Sequence, residues 1–214
     1  MNAHSESAIR RARYQDAPRI ARLFAAAFHR DPVFDWLARD GKARAPALQR
    51  FFHWILEDHT LAHGECWISA DGQAAAAWVP PHAGAAARRL GQDLRILPAV
   101  LQLTGFSKFS RSAAMAAALD GKSPAEPFFH LAFLGVNPAA QGKGLGSTLL
   151  ATMLARVDGL RANAYLENSN PRNLRLYERE GFSVTAEIKA RKDAPPVFAM
   201  WRPRRDQGSR TISQ

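Results

Sequence analysis

Three glycines and a lysine lie close together in the middle of the chain, at Gly142, Lys143, Gly144 and Gly146. An apolar stretch typical of a buried strand ends just before them at Val136, and leucines at helical spacing follow. A turn of this kind leaves backbone N–H groups unpaired at a helix start, where the helix dipole adds partial positive charge. Together with the lysine ammonium, these groups predict a phosphate-binding turn between a strand and a helix.

The spacing of the glycines excludes two common phosphate-binding motifs. A P-loop requires Ser or Thr after its lysine, where Gly144 follows Lys143, and a dinucleotide fingerprint requires a third glycine that is missing here. The pattern Gln141-x-x-Gly144-x-Gly146 instead closely resembles the pyrophosphate motif of the GNAT acetyltransferases. The resemblance implies acetyl-CoA as the cofactor. The residues that it implies for contacts with acetyl-CoA in this block are Leu134, Val136, Gln141, Gly142, Lys143, Gly144, Leu145, Gly146 and Ser147.

A second polar block follows in the expected order and comprises Asn168, Asn170, Asn173 and Tyr177, with Gly181 at its end. It resembles the strand, helix and strand that follow the CoA turn in GNAT enzymes. The resemblance implies that two central strands diverge and that the cofactor lies between them. It also implies that the three asparagines and Tyr177 contact the cofactor, and that Tyr177 donates a proton to the departing CoA thiolate.

Acetyl transfer to an amine also needs a group that removes the proton of the amine. His130 lies on the strand that leads to the glycine turn, at a position similar to that of a catalytic glutamate in histone-acetylating relatives, and imidazole suits this role near neutral pH. Glu126, Asp35 and Glu167 are alternatives, as is a chain of water molecules. For the oxyanion, the resemblance implies a backbone N–H of a bulged strand that ends at Val136.

Other potentially reactive side chains are expected to be structural. Cys66 lies in a predicted strand far from the glycine turn, so we expect a core residue rather than a nucleophile. His59 and His63 have the four-residue spacing of a metal-binding pair, but Thr60 stands where a zinc protease has its glutamate and no third ligand is evident. We therefore expect no metal, and a place on a helix surface for both histidines.

The first half of the chain resembles a bacterial and fungal branch of the GNAT enzymes that includes puromycin N-acetyltransferase. The similar segments are residues 27–28, 31–37, 63–67 and 77–81. We expect direct acetyl transfer, in a ternary complex, to the primary amine of a small molecule. A protein or peptide acceptor, and a CoA-binding regulatory module without turnover, remain open. The aromatic residues between positions 34 and 54 either line the acceptor pocket or pack in the core.

Apolar spacing, capping residues and breaks predict the elements that must position these groups. Together with the resemblance they predict an α/β fold of the GNAT type, with a mixed central sheet of six to seven strands and helices on both faces. We expect a single domain at 8–202 and a basic disordered tail at 203–214. Strands are predicted at 8–14, 65–69, 74–79, 128–136, 160–167, 182–189 and 197–201, and helices after 16, at 48–59, within 83–119, after 144 and after 170.

Composition and net charge restrict the possible partners and location less strongly than the motifs restrict the chemistry. The 214 residues carry a formal net charge of +10, which would attract CoA and nucleic acid alike. The arginines are scattered and do not alternate with aromatic residues, so we expect no nucleic-acid partner. The single cysteine excludes an internal disulfide, and neither a signal peptide nor an apolar run long enough to span a membrane is evident. We therefore expect a cytoplasmic monomer or homodimer without a membrane partner.

Overall fold

The structure is a computed structural model that describes residues 9–63, 65–83 and 94–205. In these ranges seven strands form one mixed sheet. The strands are β1 (Ile9–Arg11), β2 (Cys66–Ser69), β3 (Ala74–Val79), β4 (Phe128–Val136), β5 (Asn163–Asn168), β6 (Ser183–Ile188) and β7 (Val197–Arg202). They lie in the order β1-β2-β3-β4-β5-β7-β6, and β4 and β5 are parallel whereas the other neighbours are antiparallel.

Helices cover both faces of this sheet, which confirms the predicted α/β fold. The α-helices of the described ranges are α1 (Ala17–Ala27), α2 (Pro32–Leu37), α3 (Arg44–Ile55), α4 (Leu97–Leu119), α5 (Leu145–Gly159) and α6 (Leu174–Arg179). Alternate side chains of a strand point to opposite faces. Ala75 and Ala77 of β3 accordingly pack with α1 and α3, whereas Ala74, Ala76 and Trp78 pack with α5 and α6.

A β-bulge interrupts the pairing of β3 with β4. Ala77 lies opposite Phe133, but the next residue, Trp78, lies opposite Leu131, so Ala132 is an extra residue without a partner in β3. Such a bulge bends the strand that carries it. The bulged strand that the family resemblance implies is therefore present, with its bulge at Ala132.

The parallel strands β4 and β5 separate before either of them ends. Their pairing stops at Leu131 opposite Leu166, whereas β4 continues to Val136 and β5 continues to Asn168. We call the space between these unpaired ends the β4–β5 gap. It opens at the carboxyl ends of both strands, directly after the bulge.

The aromatic segment at 33–37 is a helix, α2, although its sequence alone gave no helical pattern. Asp31 begins it, because its Oδ1 accepts the N–H groups of Val33 and Phe34 at 3.0 and 3.2 Å. Pro32 at the first position needs no acceptor for an N–H and already has a helical φ. The Asp-Pro pair therefore starts α2, whereas α1 already ends at Ala27.

Asp16 precedes α1, as predicted, but its side chain makes no capping bond to that helix. Instead it forms an ion pair with Arg10, at 2.7 and 2.8 Å, and accepts the backbone N–H of Arg13. The Arg10 guanidinium is the main cause that lowers the pKa of Asp16 to about 2. The carboxylate thus joins β1 to the turn before α1.

Helix α4 lies within the segment predicted to contain broken helices. Pro98 is in its first turn, and Gly105 has a φ of +63° that kinks the helix. Positions 84–93 of that prediction and positions 206–214 of the predicted tail lie outside the described residues, so the tail and the domain boundary remain predictions. Within the described ranges, no helix is long and apolar enough to cross a membrane.

Candidate active site

The glycine turn joins the end of β4 to α5. Gly142 and Gly144 have φ angles of +77° and +82°, in the left-handed region that side-chain-bearing residues rarely adopt. A Cβ at either position would meet no atom within 4 Å, so the backbone conformation rather than crowding requires glycine. Gly144 is the N-cap residue of α5, and the turn therefore leads directly into the first helical turn.

Close packing requires glycine at Gly135, near the end of β4. A Cβ on this residue would lie 2.7 Å from Cδ1 of Phe24, so glycine lets α1 approach the strand. On the opposite face, a Cβ on Gly146 would lie 3.4 Å from Cγ2 of Val136, which is an ordinary contact distance, so the first turn of α5 packs on the end of β4 without requiring glycine there.

The first turn of α5 presents backbone donors to solvent. The first hydrogen bond within the helix runs from the Thr148 N–H to the Gly144 carbonyl, at 3.0 Å. Earlier N–H groups have no acceptor within the helix, and none among the described residues accepts from them. These donors belong to Leu145, Gly146 and Ser147.

Two side chains complete the glycine turn. Gln141 donates from its Nε2 to the carbonyl of Val136 at 3.2 Å and ties the turn back to β4. Lys143 is exposed beside the free N–H groups. Aligned N–H groups, a helix N-terminus and an ammonium together suit a diphosphate, which is the anion that the sequence predicts for this turn.

The predicted cofactor-binding asparagines surround the end of β5. Asn168 is buried, and its Oδ1 accepts the Asn170 N–H at 3.2 Å, but its Nδ2 is buried without an acceptor among the described residues. Asn170 caps the short turn before α6 by accepting the Arg172 N–H at 3.1 Å, and Asn173 is exposed at the end of that turn. A buried amide donor without an acceptor is costly, so the Asn168 Nδ2 is available to a ligand in the gap.

His130 and Glu167 form a hydrogen-bonded pair across β4 and β5. His130 Nε2 lies 2.6 Å from Glu167 Oε2, and the two side chains are only 15% and 24% exposed. Burial opposes ionisation of Glu167, but the charge and hydrogen bond of His130 hold the pKa of this carboxyl below its ordinary value. An ionised carboxylate only accepts hydrogen bonds, so the Nε2 of His130 carries a hydrogen; whenever the imidazole is neutral, its lone pair lies on Nδ1 and can accept a proton.

Tyr165 is the partner of His130 in the β4–β5 register. Its ring packs at centroid distances of 5.1 Å from Phe128 and 5.7 Å from His130. Burial, reinforced by the negative charge of Glu167, raises the pKa of the Tyr165 phenol well above its ordinary value. The phenol therefore stays protonated at neutral pH and does not serve as a base.

Tyr177 lies on α6, buried against Phe182 with the ring centroids 6.1 Å apart. Burial, and then the negative charge of Asp31, raise the pKa of its phenol, so it keeps the proton that an acid requires. Asp31 is itself buried, and its Oδ2 accepts the Ser169 hydroxyl at 2.5 Å. This contact joins the start of α2 to the chain that leaves β5.

A cavity of about 330 Å³ opens beside the His130–Glu167 pair, on the face of the sheet that α1 and α3 cover. Ala132 of the bulge and Ser169 after β5 both contribute to its wall, so the cavity adjoins the β4–β5 gap. The wall is largely apolar, and α4 closes one side of it. Its phenylalanines are Phe28, Phe34, Phe51, Phe128 and Phe133, and the largest residues from α4 are Val100, Leu103, Met115 and Leu119.

Residues 15–182 match the sequence model of the Acetyltransferase (GNAT) family. This chain belongs to the GNAT family. GNAT proteins are acetyltransferases that use acetyl-CoA, and the residues around the gap fit that molecule, because Asn168 and the α5 N-terminus offer donors that no described residue uses.

Solved structures share the GNAT fold of this chain at low sequence identity. A Corynebacterium glutamicum structure, described as histone acetyltransferase HPA2 and related acetyltransferase, has a TM-score of 0.70 at 23% identity and covers 94% of this chain and 97% of its own. A Drosophila melanogaster polyamine N-acetyltransferase that forms N-acetylagmatine has a TM-score of 0.61 at 16% identity, with coverages of 91% and 98%. The NatC complex bound to Gag peptide and CoA has a TM-score of 0.53 at 11% identity, with coverages of 92% and 97%.

One curated relative is more similar over a shorter stretch. Mycothiol acetyltransferase from Mycobacteroides abscessus is 46% identical over 54 residues, which are 24% of this chain. The match spans only 18% of that relative's length.

The structure separates the alternatives for the base in this GNAT protein. Glu126 is exposed and does not line the cavity, and Asp35 is 73% exposed in an ion pair with Arg44. Of the three carboxylates considered from sequence, Glu167 alone lines the cavity, where it is bonded to His130.

The structure confirms the expectation for Cys66 and contradicts that for His59. Cys66 is buried in β2, and burial raises the pKa of its thiol to about 12, as suits a core residue. His59 is not on a helix surface: it is buried in a π-helical turn, Leu56–Thr60, with its ring 4.9 Å from Trp54. The described residues contain no group of three side chains that could hold a metal ion.

Sequence reasoning missed part of the GNAT site. Phe34 and Phe51 line the cavity, but the other aromatic residues between positions 34 and 54 do not. Ser169 could have been noted, because it lies between two of the predicted asparagines. The segment 83–120 was expected to help shape the acceptor pocket, but α4, which includes Met115, has no chemical motif, so the sequence does not show which of its residues line the cavity.

Proposed function

We propose that this protein transfers the acetyl group of acetyl-CoA directly to the primary amine of a small molecule. One observation carries the proposal: the β4–β5 gap has free N–H donors on the α5 side and the His130–Glu167 cavity on the other. In the transfer the amine nitrogen forms a bond to the acetyl carbon, the carbon–sulfur bond breaks, and the amine proton passes to the protein. The thiolate leaves with a proton from solvent or from a nearby acid.

The donor side of the site is assigned to the glycine turn and the ends of β4 and β5. Gln141, Lys143 and the N–H groups from Gly142 to Ser147 would hold the diphosphate. The remaining parts of acetyl-CoA would be held by the β4 edge at Leu134 and Val136. The side chains of Asn168, Asn170 and Asn173 would also contact them. Bound acetyl-CoA supplies an acetyl group that is activated as a thioester.

His130 is proposed as the group that takes the proton of the amine. Its Nε2–H donates to ionised Glu167, which orients the ring and stabilises the imidazolium that forms when Nδ1 accepts a proton. A positioned base of this kind contributes roughly 10²–10⁴-fold to a rate. Glu167 acts through His130 and is a positioning residue in this scheme.

Tyr177 is proposed as the acid at the departing sulfur. Its raised pKa makes it a weaker acid than a thiol, whose ordinary pKa is about 8.5. Its hydroxyl therefore contributes a hydrogen bond to the thiolate as negative charge develops there, and the thiolate takes its proton from solvent after it leaves.

Two features favour a small-molecule acceptor over a protein or peptide. The cavity beside His130 is closed by α4 and has the volume of a small ligand rather than the form of an extended groove. In addition, the similar structures include an enzyme that forms N-acetylagmatine and an arylalkylamine N-acetyltransferase. The resemblance of residues 27–81 to the branch that includes puromycin N-acetyltransferase supports the same choice.

The test is release of free CoA thiol from acetyl-CoA in the presence of a panel of primary amines. Direct transfer predicts that double-reciprocal plots of initial rate against one substrate, at several fixed concentrations of the other, intersect. Parallel lines would indicate an acetylated protein intermediate instead. CoA binding by calorimetry without thiol release for any amine or peptide would favour the regulatory module.

A further inference from the structure

The charge of the cavity wall differs from that of the whole protein. The chain carries a formal net charge of +10, yet none of the described residues that line the cavity is Lys or Arg. The wall instead contains two carboxyl side chains, those of Asp120 and Glu167. Among the described residues, a carboxylate or phosphate on the acceptor would therefore find no lysine or arginine to pair with, and the desolvation of that anion would oppose binding.

The His130–Glu167 pair receives the amine at one end of the cavity. Glu167 is ionised and hydrogen-bonded to His130, so its carboxylate favours the approach of an amine, whose proton passes to the imidazole. The second carboxyl group, that of Asp120, belongs to an exposed residue directly after α4. Hydrophobic side chains such as those of Val100 and Leu103 form other parts of the wall, where a charged group of the acceptor would be desolvated.

Rings form much of the remaining wall. Phe28 packs 5.4 Å from Phe34 and 5.8 Å from Phe133, and Phe34 packs 5.9 Å from Phe51, so that these four rings form a continuous surface. The wall also includes Phe128. Such a surface favours apolar groups, and aromatic rings in particular, because rings pack edge-to-face at these distances.

We infer that the acceptor is an apolar amine, an arylalkyl or alkyl primary amine without a carboxylate or phosphate. The inference rests on the proposed function and specifies its substrate class. Specificity in this scheme comes from the aromatic surface, and the His130–Glu167 pair selects only for the amine itself.

The first experiment measures kcat/KM for thiol release by the unmodified protein. In the series from propylamine to hexylamine we expect a gain of about fourfold for each methylene, the ratio that corresponds to burial of one CH₂. Phenethylamine should exceed phenylalanine by at least about 100-fold, because phenylalanine differs by one carboxylate.

The second experiment narrows the cavity. Ala116 of α4 lines the cavity, whereas its neighbour Ala117 is exposed and does not. Ala116→Phe should lower kcat/KM for phenethylamine and hexylamine by at least tenfold and change that for propylamine less than twofold. Ala117→Phe, which adds the same bulk to the same helix, should leave all three values unchanged.

The outcomes separate the inference from the function on which it rests. If phenylalanine is acetylated as well as phenethylamine, the inference is wrong while acetyl transfer stands. If no amine releases thiol, the proposed function fails and the inference fails with it. The amine series needs no variant, so it decides the question even if Ala116→Phe does not fold.

Discussion

A matched pair of substitutions at Gly144 would test the assignment of the glycine turn to the diphosphate. Gly144 has a φ of +82°, and no atom lies within 4 Å of the position of a Cβ. Asn and Asp are the residues that tolerate this conformation best, and they have nearly the same size. Gly144→Asn and Gly144→Asp should therefore change the free energy of unfolding equally and differ only in charge.

The magnitude follows from Coulomb's law. If the new carboxylate of Gly144→Asp lies roughly 7 Å from each of two diphosphate charges in water, each repulsion is about 0.6 kcal/mol. The sum of about 1.2 kcal/mol should weaken CoA binding about eightfold relative to Gly144→Asn. Because the Debye length is about 10 Å at 0.1 M salt and about 3 Å at 1 M, the ratio should fall towards one at high salt.

Calorimetric titration of both variants with CoA, at low and high salt, measures this ratio. Pantetheine, which lacks the diphosphate, should bind both variants equally and serves as the control ligand. Equal dissociation constants for CoA at low salt would refute the assignment of the turn, as would a ratio that persists at 1 M salt.

Three further predictions concern the proton-transfer groups and the response to acid. Tyr177→Phe should lower kcat about 10- to 100-fold and leave the KM for acetyl-CoA unchanged, because the hydroxyl acts only as sulfur departs; steady-state kinetics measures both values. Glu167→Gln should lower kcat/KM for the amine about 100-fold, because a neutral amide no longer orients His130 or stabilises its charged form; the same assay measures it. Arg10 lowers the pKa of Asp16 from 3.8 to about 2. The free energy of unfolding of the unmodified protein should therefore exceed that of Asp16→Asn above about pH 4, and the difference should disappear as the pH falls towards 2. Urea unfolding at several pH values measures this difference.

Each of these predictions has a control or a contradicting result. Unchanged turnover in Tyr177→Phe would remove the hydroxyl from the acid role. Glu126→Gln neutralises an exposed carboxylate outside the cavity and should leave kcat/KM intact, so an equal loss in both Glu variants would indicate a general charge effect. A stability difference between the protein and Asp16→Asn that does not depend on pH would show that the ion pair with Arg10 is not its cause.

Local chemistry explains why the glycine turn and the strands were predictable. The positive φ angles of Gly142 and Gly144 are requirements of the turn itself, and they appear in the sequence as glycines. The continuous apolar run of β7 likewise indicates a strand whose two faces are both covered. The start of α2 was less evident, because it depends on the Asp31 side chain rather than on an apolar pattern.

The contacts of the candidate site depend on register and on long-range packing, which no local pattern contains. His130 and Glu167 are separated by 37 positions and meet only because β4 and β5 are parallel and in one particular register. Asp31 and Ser169 meet across 138 positions. The burial of His59 was mispredicted because α3 continues into a π-helical turn against the sheet, which its spacing does not reveal.

Ala132, the extra residue of the bulge in β4, also determines whether the β4–β5 gap can form. If Ala132 were deleted, every side chain from Phe133 onward would keep its present partner in β3 and thus its present face. A straightened β4 would then be free to extend its ladder with β5 beyond Leu131. The shortened chain would gain backbone hydrogen bonds and stability, yet the opening for a thioester would be sealed.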